Sequence, residues 1–173
     1  ILDPSSVGNG VHVHISFRNA DGLSKTFDPD GKYGMSKLTE SFAAGVLKYL
    51  DSIVAMTAPS AISYLRLTPH RWSAAYNNLG FRDREASLRI CPVTSKDPLS
   101  AADQFNIEYR AADAAACPHL ALAAIINAGV QGIEESLTAN EPTSEDLSLL
   151  SPGELAKRGF IRLPQNLVSA LKC

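Results

Sequence analysis

With 173 residues, 45% of them hydrophobic and 20% charged, the chain carries enough apolar material for one packed domain or a large piece of one. A formal net charge of −2 and the lack of any basic run exclude a phosphate-backbone stripe and give no pull toward an acidic membrane surface. Three widely spaced cysteines, Cys91, Cys117 and Cys173, make neither a disulfide framework nor a metal-ligand pattern. The chain opens Ile-Leu-Asp-Pro without an initiator Met or a signal-like region. Its most apolar stretch, 114–130, is interrupted by Pro118, His119 and Asn127, too short and Ala-rich to span a bilayer. A cytoplasmic protein whose sequence begins partway through something longer is the expectation.

The first element is a strand. Residues Val11 to Phe17 alternate strictly, which puts His12, His14 and Ser16 on one face and Val11, Val13, Ile15 and Phe17 on the other. Asn19-Ala20-Asp21-Gly22 reads as a turn. Ser36 is a fitting N-cap for a helix to about Thr57, since Leu38, Phe42, Val46, Tyr49, Ile53 and Met56 recur every three or four residues before Pro59. Between Arg66 and Cys91 the pattern is irregular and punctuated by Pro69, Gly80 and Pro92, which suits functional loops. Alternation returns at Leu88-Arg89-Ile90 and in Phe105 to Arg110, where Glu108 and Arg110 share a face. Pro118 opens an Ala/Leu/Ile helix to roughly Leu137. Residues 139–154 read as an exposed excursion, and Leu163, Leu167 and Leu171 mark a short amphipathic tail. The fold class expected is α+β, with antiparallel strands lining a cleft and helices backing them. Strands with such polar faces need more chain to complete that cleft.

Taken singly, the polar candidates are weak. His12 and His14 could both reach a ligand or metal, although half-exposed strand histidines are commoner. Glu108 offers oxygens suited to magnesium or manganese, and equally a solvated ion pair with Arg110. Arg66, Arg84, Arg89 and Arg110 are more telling together, because guanidinium forks grip carboxylates and phosphates at two points. A lone surface arginine would be worth only about 0–1 kcal/mol as an ion pair. Spacing alone leaves these alternatives open.

Four motifs in order carry a resemblance to the glutamine synthetases. Val7-Gly8-Asn9-Gly10-Val11-His12-Val13-His14 resembles their Gly-rich double-His segment. Ser63-Tyr64-Leu65-Arg66-Leu67 is similar to their Ser-Tyr-Lys-Arg-Leu element. Arg82-Asp83-Arg84-Glu85-Ala86-Ser87-Leu88-Arg89-Ile90 resembles the Arg-Asn-Arg-x-x-Ser-Ile-Arg segment. Glu108-Tyr109-Arg110, the run 112–116 and Pro118-His119-Leu120-Ala121 resemble the Glu-x-Arg and Pro-Asp-Ala-x-x-Asn-Pro-Tyr-Leu run. The resemblance implies a part of the glutamine synthetase/guanido kinase-like catalytic domain, and a ligase joining glutamate to ammonia or a larger amine through γ-glutamyl phosphate. It implies ATP with Mg2+ or Mn2+ as cofactors and a homo-oligomeric ring. His12 and Glu108 match metal ligands; His14, Arg84 and Arg89 match residues at the nucleotide phosphates. Arg84 and Arg89 also match stabilisers of the transferred phosphoryl group, and Gly8, Arg66 and Arg110 match the glutamate-binding residues.

The departures are as informative. The family's flap Gly-Tyr-Glu-Ala-Pro falls on His70-Arg71-Trp72-Ser73-Ala74, so Trp72 replaces a glutamate that helps deprotonate ammonium. A lone Trp is more often a packing residue. At this position it resembles the γ-glutamyl-amide ligases and the glutamine synthetase-like developmental regulators, and it implies an altered amine pocket. The Asn before the Gly segment is Val7 here. The family's upstream metal-binding glutamates and small β-grasp domain precede the double-His segment and have no counterpart in the sequence. Residues 1–173 are therefore expected to be a C-terminal piece of the catalytic domain, inactive alone. The alternative reading is a non-catalytic glutamine synthetase-like protein with a structural or regulatory role.

Overall fold

A computed structural model describes residues 8–173; Val7 lies outside them. Four three-residue strands, β1 (Val13–Ile15), β2 (Leu79–Phe81), β3 (Leu88–Ile90) and β4 (Ile107–Tyr109), form one sheet in the order β1-β4-β3-β2. Its β1–β4 and β3–β4 pairs are antiparallel and its β2–β3 pair is parallel. The α+β expectation holds, with a mixed rather than purely antiparallel sheet. β2 escapes the sequence because Leu-Gly-Phe is too short to show a period.

The register fixes the functional face. His14 stands opposite Glu108, and Glu108 stands opposite Arg89, so three strands contribute one row of polar side chains. Their neighbours Leu88, Ile90, Ile107 and Tyr109 point the other way and are fully buried. The alternation survives in exposure over 12–17, where His12, His14 and Ser16 are exposed while Val13, Ile15 and Phe17 are half-buried; Val11, expected on the apolar face, lies before β1 and is exposed.

Behind the apolar face lie α1 (Lys37–Lys48), α2 (Leu50–Thr57) and α4 (Pro118–Glu134). Ser36 caps α1 by accepting from the Thr39 amide at 3.2 Å. The single helix expected over 36–57 is broken at Tyr49, which leaves helical geometry at φ −99°, ψ 10°. Its hydroxyl donates to Glu135 at 2.8 Å, and Lys48 pairs with the same carboxylate, which ties the end of α1 to the end of α4. α1 and α4 approach closely through glycine. A Cβ on Gly45 would meet the Ala128 carbonyl at 2.3 Å, and one on Gly132 would meet the Ser41 carbonyl at 2.3 Å.

Three further differences from the sequence reading have local causes. α3 (Pro98–Gln104) was not expected, although Asp97-Pro98 is a proper start signal: the Asp97 carboxylate accepts from the Ser100 amide at 2.9 Å. The stretch 139–154 is not wholly exposed. Thr143 is buried and extends the sheet edge, its amide donating to the Leu79 carbonyl at 2.7 Å, and Leu147 is buried too. The tail is no single amphipathic helix: α5 (Pro152–Lys157) and α6 (Leu167–Ala170) are separate. Leu163 is core, in an extended segment whose amide donates to Ala75, whereas Leu171 is 69% exposed. Among the described residues no helix is long and apolar enough to cross a membrane.

Candidate active-site cleft

Segments far apart in sequence meet in a cleft of about 450 Å3 on the polar face of the sheet. Gly8, Gly10 and His12 line it from the chain start, Arg66 and Trp72 from the loop after α2, Arg84 and Arg89 from the β2–β3 region, and Glu108 and Arg110 from β4 and its end. All the expected site residues except His14 line it. His14 lies on the same sheet face but turns outward, its Nδ1 2.8 Å from Asn106 Oδ1 and its Nε2 3.7 Å from Glu108.

Glu108 is the hub, and it is buried. Arg110 donates to its Oε1 at 2.7 Å, Arg89 donates to its Oε2 at 3.0 Å, and His12 Nδ1 stands 2.8 Å from Oε1. Burial alone would push this carboxyl's pKa up. The hydrogen bond from Arg89, with the charge and hydrogen bond of Arg110, outweighs burial and holds the pKa below the usual value. His12 is shifted down, by burial first and then by Arg110, with Glu108 opposing, so it is neutral near pH 7.

Arg66 is buried in the wall, and its guanidinium is largely spent on the protein. It donates to the Ala111 and Ala112 carbonyls at 2.9 and 2.8 Å and to Ser73 Oγ at 2.5 Å. Gly8 is glycine for a steric reason, because a Cβ there would meet the Arg66 stem at 2.9 Å. Arg84 is exposed at the rim and Arg89 is mostly covered.

The loop carrying Trp72 is held from both sides. Glu85 accepts from the His70 and Trp72 amides, each at 2.7 Å, while Arg110 donates to the Trp72 carbonyl at 3.1 Å. Trp72 and His70 have positive φ, 51° and 64°, an uncommon and costly backbone for residues with side chains. Trp72 is 65% exposed, so it is not part of this chain's core. On the other side of the same loop is a second cavity of about 350 Å3, with Asp83, Glu85, Glu145 and Asp146 in its walls.

Sequence reasoning missed Glu85, Ser73, Asn106 and Cys91. Cys91 lies two residues beyond Arg89 and Asn106 two before Glu108, so strand alternation placed both on the polar face. Cys91 Sγ is 3.7 Å from Glu108, and burial and Glu108 push its thiol pKa up to about 11, which leaves it unreactive. Nothing in spacing announces the Glu85 tether.

The expected divalent-cation ligands do not make a cation site by themselves. Among the described residues no group of three or more His, Cys, Asp or Glu side chains is arranged to hold a metal ion. Each oxygen of Glu108 already accepts from a guanidinium, so the local charge is positive.

Comparison with known proteins agrees with this architecture. Residues 3–173 match the family described as glutamine synthetase, catalytic domain. A γ-glutamylpolyamine synthetase, GlnA3 of Streptomyces coelicolor, is 40% identical over 95% of this chain and 34% of its own length. A crystal structure of a novel glutamine synthase homolog superposes with a TM-score of 0.77 at 46% identity, covering 95% of this chain and 34% of that one. A GmaS/ADP complex superposes with a TM-score of 0.76 at 28% identity, covering 95% of this chain and 36% of that one. The chain thus spans about a third of the length of these relatives.

Proposed function

Since the chain belongs to the glutamine synthetase family, we propose that it is the C-terminal part of a longer ATP-dependent ligase that joins glutamate to an amine larger than ammonia. The observation that carries the reading is the convergence of Arg66, Arg84, Arg89, Arg110 and Glu108 beside Trp72 in one cleft. Guanidinium groups in a recessed site suit two anionic substrates, a nucleotide and an amino acid. In the reaction proposed, the glutamate γ-carboxylate attacks the terminal phosphorus of ATP, releasing ADP and leaving γ-glutamyl phosphate. The amine then attacks the acyl carbon, phosphate departs, and the amine gives up a proton. Arg84 and Arg89 take the phosphate side, where negative charge accumulates, and Gly8 and Arg110 take the glutamate side. Arg66 supports that side by tying the 110–112 backbone to the cleft wall. His14 belongs to the outer end of the phosphate side.

The divalent cation that the family reading calls for, Mg2+ or Mn2+, would need donors from polypeptide outside this chain in addition to His12 and Glu108. A ring-shaped homo-oligomer and a cytoplasmic setting belong to the same proposal, as does the absence of ligase turnover from residues 1–173 alone.

The amine side rests on Trp72. An indole where a carboxylate would trap ammonium removes a cation site and offers an apolar wall. The acidic cavity behind the same loop suits an acceptor with a second positive charge, and the similarity to a γ-glutamylpolyamine synthetase points the same way. The test is phosphate release by the full polypeptide with ATP, glutamate and a panel of ammonia, monoamines, diamines and polyamines. Release with diamines or polyamines well above that with ammonia is expected. Release with ammonia alone would remove the altered acceptor. No release with any amine would replace the ligase with a non-catalytic scaffold.

A further inference from the structure

Trp72 is fixed at its backbone and open at its side chain. Its amide donates to Glu85 Oε1 at 2.7 Å and its carbonyl accepts from Arg110 at 3.1 Å, yet the residue is 65% exposed. The other oxygen of Glu85 accepts from the His70 amide, also at 2.7 Å. Both donors belong to residues of positive φ, a backbone that bulky side chains avoid unless something holds it. The Glu85 carboxylate does the holding, because two charge-assisted bonds to neighbouring amides need two acceptor atoms side by side. Glu85 has a firm base for this. Its own amide donates to Asp83 Oδ1 at 2.8 Å, and Ala86, Ser87 and Leu88 are buried as the chain enters β3. In the Arg-Asn-Arg-x-x-Ser-Ile-Arg segment that residues 82–89 resemble, 85 is the first unspecified position, so the motif asks for no carboxylate there. The flap lacks a glutamate at 72 and receives one, from 85, on the amide of that same residue.

We infer that Glu85 is a positioning residue for amine selection: by bridging the His70 and Trp72 amides it holds Trp72 against the cleft as the wall that the acceptor meets. Glu85 does not line that cleft, whereas Trp72 does, so Glu85 acts through Trp72. The inference rests on the ligase reading for its substrate and adds that the acceptor wall is set from the β2–β3 loop. Glu85 also lines the second cavity, so direct contact with a cationic acceptor is the rival role. The two roles separate by experiment.

Glu85→Gln in the full polypeptide keeps the side-chain volume but turns an NH2 group toward one of the two amide donors, which breaks the bridge. The KM for a diamine and for a monoamine of similar length should rise alike, by about tenfold, as befits a lost hydrogen bond to a charged group. The kcat at saturating amine and the KM for ATP and glutamate should stay within about twofold. In a Trp72→Ala background the same substitution should change the amine KM by less than about twofold, because the residue it acts through is gone. Trp72 emission, taken as the difference from a Trp72→Phe polypeptide, should lose anisotropy in Glu85→Gln as the loop is released. A KM rise confined to the diamine, with unchanged anisotropy, would make Glu85 a direct cation ligand and overturn the inference. Additive effects of the two substitutions would overturn it too, as would a Glu85→Gln enzyme indistinguishable from the unsubstituted one. If no amine gives phosphate release even without substitution, the ligase reading falls, and the anisotropy still decides whether Glu85 holds Trp72. Should Glu85→Gln not fold, Glu85→Asp, whose carboxylate is drawn back by one methylene, takes its place with the same expectations.

Discussion

The sheet is covered on its two faces by opposite kinds of chemistry. Behind it, α1 and α4 touch through Gly45, Gly129 and Gly132, where backbone meets backbone or a Phe42 ring. In front, Arg89 and Arg110 meet the buried carboxylate of Glu108. Apart from the exposed Lys48–Glu135 pair at its end, the helical layer is held by contact and apolar burial, which depend little on pH. The polar face is held by ion pairs whose desolvation costs nearly as much as their attraction returns. Stability is thus built at the back and spent at the front. A protein that needed only to fold would have no reason to bury Arg66, Arg110 and Glu108.

Breaking each side should therefore give different signatures. The largest loss is expected for Arg110→Met, which leaves Glu108 without its 2.7 Å partner and frees the Trp72 carbonyl. Breaking one side of a buried pair costs roughly 3–5 kcal/mol, to be read as a fall in the urea midpoint. A loss under about 1 kcal/mol, the range of surface pairs, would mean the cluster is solvated. Gly132→Ala should cost about 1–3 kcal/mol through overpacking against the Ser41 carbonyl, despite alanine's better helix propensity. Unlike the front-face effect, this one should not change between low and high salt. At the flap, Trp72→Glu should leave the melting temperature within a few degrees, since the indole is exposed, and shift amine preference in the full polypeptide toward ammonia.

The smallest effect expected is a gain, and it belongs to the back layer. Asp51 opens α2 with a buried oxygen that has no partner, and burial raises its pKa above the usual value. For an acid whose folded pKa is raised, the cost grows as pH climbs from the unfolded value through the folded one and is complete above it. Asp51→Asn should therefore stabilise slightly at pH 7 and not at pH 3, as read by melting temperature. A gain at pH 3 as large as at pH 7 would remove the titration from the explanation.

The strand faces were legible because side-chain alternation is a property of the backbone itself. His12, His14, Glu108 and Arg110 could be sorted before any partner strand was known, and Ser36 and Pro118 announced their helices for equally local reasons. The break at Tyr49 was not legible, because it depends on Glu135, 86 residues away, and on how closely two glycines let α1 meet α4. Nor was the burial of Thr143, which follows from pairing beside Leu79.

By itself the sequence determined the family, the α+β class, the polar row and the residue types available to a phosphate- and carboxylate-handling cleft. Each of these is written in local order: a period of two, a cap, a motif in register. Only the tertiary structure decided that Glu108 is shared by Arg89 and Arg110, that Arg66 spends its guanidinium on backbone carbonyls, and that Glu85 ties down the Trp72 loop. Those are pairings across the sheet and between loops, and charge compensation of that kind is set by distance in space, which no spacing along the chain encodes.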